Sequence, residues 1–134
     1  MATAPAFAAT INNGSQLLGS AETNLQTPTT TSTLLTAGTS GTTVSSVVVE
    51  AAASGTATTT VAGLVYLFLH DGTTAHLFDV ITVTASTGTT TSAPFRARNA
   101  YTDLFIKSGW SLRASQSIAG NANLLKVHAF AGDY

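Results

Sequence analysis

The sequence predicts an all-β chain folded as a single-domain antiparallel β-sandwich, jelly-roll-like, with an immunoglobulin-like sandwich as the alternative strand order. Three observations predict it. Short runs rich in Val, Ile, Leu, Phe, Tyr and Thr recur along the chain, and clusters of Gly, Asn, Asp or Ser separate them. No stretch has the apolar spacing of an amphipathic helix. Charged residues make up 8% of the chain and hydrophobic residues 44%, where soluble domains carry about 25% charge. Thr and Ser fill the gap, and Thr suits both a strand and a neutral surface.

The chain of 134 residues is long enough for one domain with a real core. Residues 1–31 differ from the rest. An Ala-rich start gives way to Ile11-Asn-Asn-Gly-Ser-Gln-Leu-Leu18 and then to Thr27-Pro-Thr-Thr-Thr31. Gly14 and Pro28 break any long element. Phe7, Ile11, Leu17 and Leu18 are apolar anchors on this loose segment. Two readings stand: a terminal strand or flap over the domain's own core, or an arm that docks on a neighbouring subunit.

From residue 32 to residue 134 the pattern is regular. Strand candidates are Thr33–Ala37, Thr43–Ala52, Thr60–His70, Ala75–Thr84, Ser92–Arg98, Asp103–Lys107, Ser111–Ser115 and Leu124–Ala131. About eight strands fit a two-sheet jelly roll, and seven would fit the immunoglobulin-like order. The run Val61–Leu69 is apolar on both faces, so one face belongs in the core and the other under a neighbouring element or subunit. Asp71-Gly72 turns it into the Ala75–Thr84 run, which makes the clearest hairpin. Asp79 interrupts the alternation of that second run, and a β-bulge near it would explain why. Trp110, Leu112 and Ala114 share a face, with Trp110 expected to anchor the core. In the last strand Val127, Ala129 and Ala131 oppose His128 and Phe130.

Chemistry is sparse. The net charge is −1 with five scattered basic residues, so nothing neutralises a phosphate backbone and no nucleic acid is expected. There is no cysteine for disulfides or thiolate metal sites. The N-terminus lacks the positive region and apolar core of a signal peptide. No run is long enough to span a membrane. His70 and His76 flank the Asp71-Gly72 turn and are weak candidates for a metal. A five-residue loop would put them on one side, and a four-residue loop would make them diverge. No nucleophile elbow, carboxylate pair or phosphate loop appears, so no enzyme and no cofactor are expected. Tyr101, in the turn-like Asn99-Ala-Tyr-Thr102, is the aromatic expected to be free for recognition.

The start Met1-Ala-Thr-Ala-Pro-Ala-Phe-Ala-Ala9, the stretch Val65-Tyr-Leu-Phe-Leu-His-Asp-Gly-Thr73, the strand Gly109-Trp-Ser-Leu-Arg-Ala-Ser115 and the ending Gly132-Asp-Tyr134 carry a resemblance. The chain resembles small virion structural proteins of tailed bacteriophages and prophages, of the head decoration, or cement, type. The resemblance implies a capsid protein on the outer surface of the phage head, made in the host cytoplasm. Its partner would be the major capsid protein, and it would sit on the shell as a homo-oligomer. Phe7, Ile11, Leu17, Leu18 and Tyr101 are the expected partner contacts. The alternatives are a receptor- or glycan-binding module of a tail or head fibre, and a head–tail or tail structural subunit.

Overall fold

The computed structural model describes residues 8–51, 58–89 and 91–134. The strands are β1 (Thr10–Ile11), β2 (Gly14–Leu17), β3 (Ser32–Thr36), β4 (Thr42–Ala51), β5 (Thr58–Thr60), β6 (Gly63–His70), β7 (Ala75–Val83), β8 (Ser86–Gly88), β9 (Arg96–Ile106), β10 (Ser111–Gln116) and β11 (Leu125–Asp133). A single 3₁₀ turn, Ala119–Asn121, is the one helical element among the described residues.

One sheet runs β1-β11-β4-β9, with β2 also paired to β11, and the other runs β3-β10-β6-β7. All these pairs are antiparallel. The pairing is nested: β1 and β2 meet β11, β3 meets β10, β4 meets β9, and β6 meets β7. Nested pairing of this kind is the jelly-roll order, so the immunoglobulin-like alternative does not apply. Between the sheets, Val65, Leu67, Leu112 and Ala114 pack against Val47, Val49, Val127 and Ala129, all fully buried. These residues alternate along their strands, which is the period-two pattern of a strand with one face in the core.

The hairpin β6–β7 keeps its expected place and its expected irregularity. Leu67 pairs with Asp79 and Phe68 with Leu77, so Phe78 is the extra residue of a β-bulge beside Asp79. The other face of β6 is covered as well. Phe68 is completely buried although it lies outside the core cluster. The loop after β2 lies on that side, where residues 26–29 and Thr31 share a cavity with His70 and Arg113.

Three elements depart from expectation. The run Thr60–His70 breaks at Val61: Thr60 ends β5, which pairs with β8, and β6 starts at Gly63. The cause is Asn121, buried beneath the break: its amide accepts from Val61 N–H and donates to Val61 C=O, both at 2.9 Å. A side chain thus stands where a strand neighbour would. The expected strands Ser92–Arg98 and Asp103–Lys107 are one strand, β9. It starts only at Arg96, after Pro94, which has no N–H to donate. The Asn99-Ala-Tyr-Thr102 stretch is not a turn: β9 runs through it, and the ladder shifts register between Val44 and Ser46 of β4.

The N-terminus follows one of its two readings. Residues 10–17 add strands to the sheet along β11, and Leu18 is buried in the core. Leu18 N–H donates to Leu125 C=O and Leu18 C=O accepts from Asn123 N–H. Of the two readings of this segment, the described part takes the terminal-strand one. Phe7 lies outside the described residues.

Trp110 sits lower in importance than the sequence suggests. It is half-buried at the rim, packed against the core and stacked on His76 with ring centroids 6.5 Å apart. Leu112 and Ala114 fill the interior instead. Trp110→Ala should therefore lower stability by roughly 2 kcal/mol, below the roughly 3–5 kcal/mol of a fully buried aromatic. Denaturant melts of the two proteins would check this, and a loss of roughly 3–5 kcal/mol would restore Trp110 as the main anchor.

Candidate partner-binding surface

The histidine pair resolves first. Asp71 N–H donates to Thr74 C=O, and His70 pairs with Ala75, so the loop is the four-residue one. The two histidines therefore diverge. His70 Nδ1 accepts from Gly72 N–H at 3.1 Å, while His76 Nε2 contacts Asp71 Oδ2 at 3.0 Å. The His76 contact is the largest cause that lowers the Asp71 pKa, with the N–H groups of Thr74 and Thr73 adding to it. Among the described residues no cluster of three His, Asp or Glu side chains could hold a metal.

Tyr101 is not free. Its hydroxyl donates to Asp79 Oδ2, and Asn99 donates to the same oxygen at 2.9 Å. Its ring packs against the core and against Phe78, centroids 6.1 Å apart. Asn99 and Tyr101 are two residues apart on β9, so they share the inward face. There they meet Asp79, which the bulge turns toward them. Burial would raise the Asp79 pKa, but the Tyr101, Asn99 and Val80 donors outweigh it and lower it. The Tyr101 pKa is raised, first by burial and then by the carboxylate. The pair closes the gap between the edge strands β7 and β9. That makes it a structural clasp.

What remains open is the outer face of the five-stranded sheet. On β11, Lys126, His128 and Phe130 point outward, opposite Glu50, Val48 and Ser46 of β4. His128 bridges Ser15 Oγ and Glu50 Oε1, each at 2.7 Å, and so ties β2 to β4 across β11. Beyond Phe130 the row Ile11, Gly132, Thr43 and Phe105 crosses β1, β11, β4 and β9. Ile11 is 80% exposed, Phe105 56% and Phe130 42%. Leu17, further along β2, is 44% exposed.

The face divides in two by charge. Arg96, Arg98, Glu50 and Lys126 occupy one end. The end with Ile11, Phe130 and Phe105 carries Gly, Ser and Thr between its apolar side chains. Two depressions of about 320 and 310 Å³ meet at Ser45, one beside Ile11 and the other where Phe130 meets Arg96 and Arg98 of the charged end. Tyr134 adds a ring next to Phe105, centroids 6.4 Å apart. Three exposed apolar side chains on one sheet face, spaced by small residues, form a surface that a partner can cover.

Of the partner contacts expected from sequence, Ile11 and Leu17 thus lie on this face, Leu18 lies in the core and Tyr101 lies in the clasp. Phe105 and Phe130 belong to the surface and were not singled out. Phe130 was legible as an apolar residue opposite the core-facing Val127, Ala129 and Ala131. Phe105 was not, because its strand was read as two.

Comparison of the chain with protein-family models, with curated proteins and with solved structures returns no match.

Proposed function

We propose that the protein is a virion structural protein of the capsid decoration type, which seats the outer face of its five-stranded sheet on the major capsid subunits of a phage head. The observation that carries this reading is the exposed apolar set Ile11, Phe105 and Phe130 on one face. The resemblance of the sequence supports it, and so does the jelly-roll order, an architecture shared with viral capsid domains as well as with lectins. Fold alone would not choose among these. The lightly charged composition agrees with a protein that spends its life against another surface.

The mechanism is linkage. A protein that binds the assembled shell and not the free subunits stabilises the shell by mass action. Each contact need only be modest, because many copies act on one shell. The charged end of the face, with Arg96, Arg98 and Lys126 around Glu50, would then set orientation more than affinity.

The test uses shells lacking the protein. The double variant Ile11→Asp with Phe130→Asp should bind them at least tenfold more weakly. Its stability should stay within about 0.5–1 kcal/mol of the parent, since both sites are exposed. Full binding by the folded variant would sink this reading. So would a copy number in purified virions far below that of the major capsid protein.

A further inference from the structure

We propose that the cavity between the loop after β2 and the β6–β7 turn binds a small hydroxylated anion, a sugar acid or a sugar phosphate. The cavity measures about 270 Å³ and is lined by residues 26–29, Thr31, His70, Thr73–Ala75 and Arg113. That is just below the roughly 300–1,000 Å³ of drug-sized sites, which suits one sugar unit.

Arg113 is the reason for the anion. Its Nε donates to Ser111 Oγ at 3.2 Å. The ion pairs among the described residues are His76–Asp71 and His128–Glu50, so its guanidinium has no carboxylate partner there. No acidic residue lines the cavity. Asp71, the nearest in sequence, is committed to the N–H groups of Thr73 and Thr74 and to His76. His70 adds a donor. Its Nδ1 accepts the Gly72 N–H, so the neutral ring carries its proton on Nε2. A guanidinium fork and an imidazole N–H together match a carboxylate or phosphate.

The remaining lining is the reason for the hydroxyls. Thr29, Thr31, Thr73 and Gln26 offer neutral donors and acceptors, which a bare anion would leave unmatched. The roof is fixed in advance. Glu22 accepts the N–H groups of Thr29 and Thr30, each at 2.7 Å, so little ordering is left for binding to do.

The experiment is an amide NMR titration with glucuronate, glucose 6-phosphate, glucose and inorganic phosphate, with calorimetry in parallel. The charged sugars should shift the amides of Thr29, Thr31, Thr73 and Thr74, and the tighter of the two identifies the anion. Glucose should produce no such shifts, and inorganic phosphate should bind at least tenfold more weakly than the sugar phosphate. Arg113→Gln should reduce affinity at least tenfold, and Arg113→Lys should recover only part of it. If Arg113→Gln does not fold, Thr73→Val on the exposed turn serves, with an expected loss of several-fold. The proposal is overturned if neither charged sugar moves those amides, if glucose binds as well as glucuronate, or if these substitutions leave affinity unchanged. None of these outcomes bears on shell binding, which uses the other sheet.

Discussion

Glu22→Ala should be among the most damaging single substitutions in the chain, with a loss of at least about 3 kcal/mol. Glu22 is buried, and its two oxygens gather five donors. Oε1 accepts from the N–H groups of Thr23 and Asn24, at 3.1 and 3.0 Å. Oε2 accepts from the N–H groups of Thr29 and Thr30 and from the Thr30 hydroxyl. One carboxylate therefore closes the loop between β2 and β3. Hydrogen bonds to a charged group are worth about 1.5–3 kcal/mol each. Water replaces only part of these five at this loop, whose Thr23, Asn24 and Thr29 are exposed. Glu22→Gln should be nearly as damaging. Its NH₂ group would face N–H donors at one of the two oxygen positions.

The same residue makes stability depend on acid. Burial would raise the Glu22 pKa, but the Thr30, Asn24 and Thr29 donors outweigh it and lower it from 4.5 to about 2. A carboxyl with a depressed folded-state pKa stabilises above its unfolded value and loses that contribution as pH falls through the folded one. The loss should therefore fall between about pH 4.5 and pH 2. Asp79 and Asp133 are lowered as well, Asp133 by the Thr42 hydroxyl and Asn12 amide above all, and they add to it. Melting temperatures across that window, compared between parent and Glu22→Gln, isolate the Glu22 part. The variant should give a visibly flatter profile. Equal slopes would mean that other carboxylates carry the acid response.

The second large effect is expected at Gly14, through shape alone. A Cβ placed on Gly14 would stand 1.7 Å from the Leu34 carbonyl oxygen and 2.6 Å from its carbon. Here β2, hydrogen-bonded to β11 in one sheet, passes against the backbone of β3 in the other. Nothing flexible can yield, since the obstacle is main chain. Gly14→Ala should cost about 3 kcal/mol or more, at or above the upper end of the usual range for overpacking. Gly72→Ala is a useful contrast. Its cost should come from its positive φ of 98° alone, because no atom lies within 4 Å of a Cβ there. If Gly14→Ala melts no lower than Gly72→Ala, the two sheets are less tightly joined at this edge than the backbone contact implies.

Much of the sandwich is written in local pattern, and the exceptions share a cause. The hairpin β6–β7 was legible down to its bulge, because a carboxylate on an apolar face betrays a break in register. Strand β10 was legible because Leu112 and Ala114 alternate with polar residues. Glu22 was not. Its partners are main-chain N–H groups, and a lone acid among Thr and Asn looks like any solvated loop residue. The Asn121–Val61 pair spans 60 residues, so nothing near Val61 hints that its strand will break. Tyr101 is hidden for a related reason: polar residues that suggest a turn serve equally well at an irregularity within a long strand. The outer face was partly legible, through Ile11 and Leu17. Its remaining members depend on which strands end up side by side, which is a property of topology.

The clasp of Asp79 with Tyr101 and Asn99 also governs what copies of this protein can do to one another when crowded. Strands β7 and β9 end their sheets on the same side, and such edges invite another chain to continue the ladder. A bulge and an inward-facing charge are the features that refuse it. With Asp79 held inside and Phe78 breaking the register, an incoming strand meets a ladder that is bent at the middle of β7. That works against open-ended growth from this edge. Asp79→Val, which would straighten and neutralise that edge, should aggregate faster than the parent at equal concentration, as light scattering of the two would show.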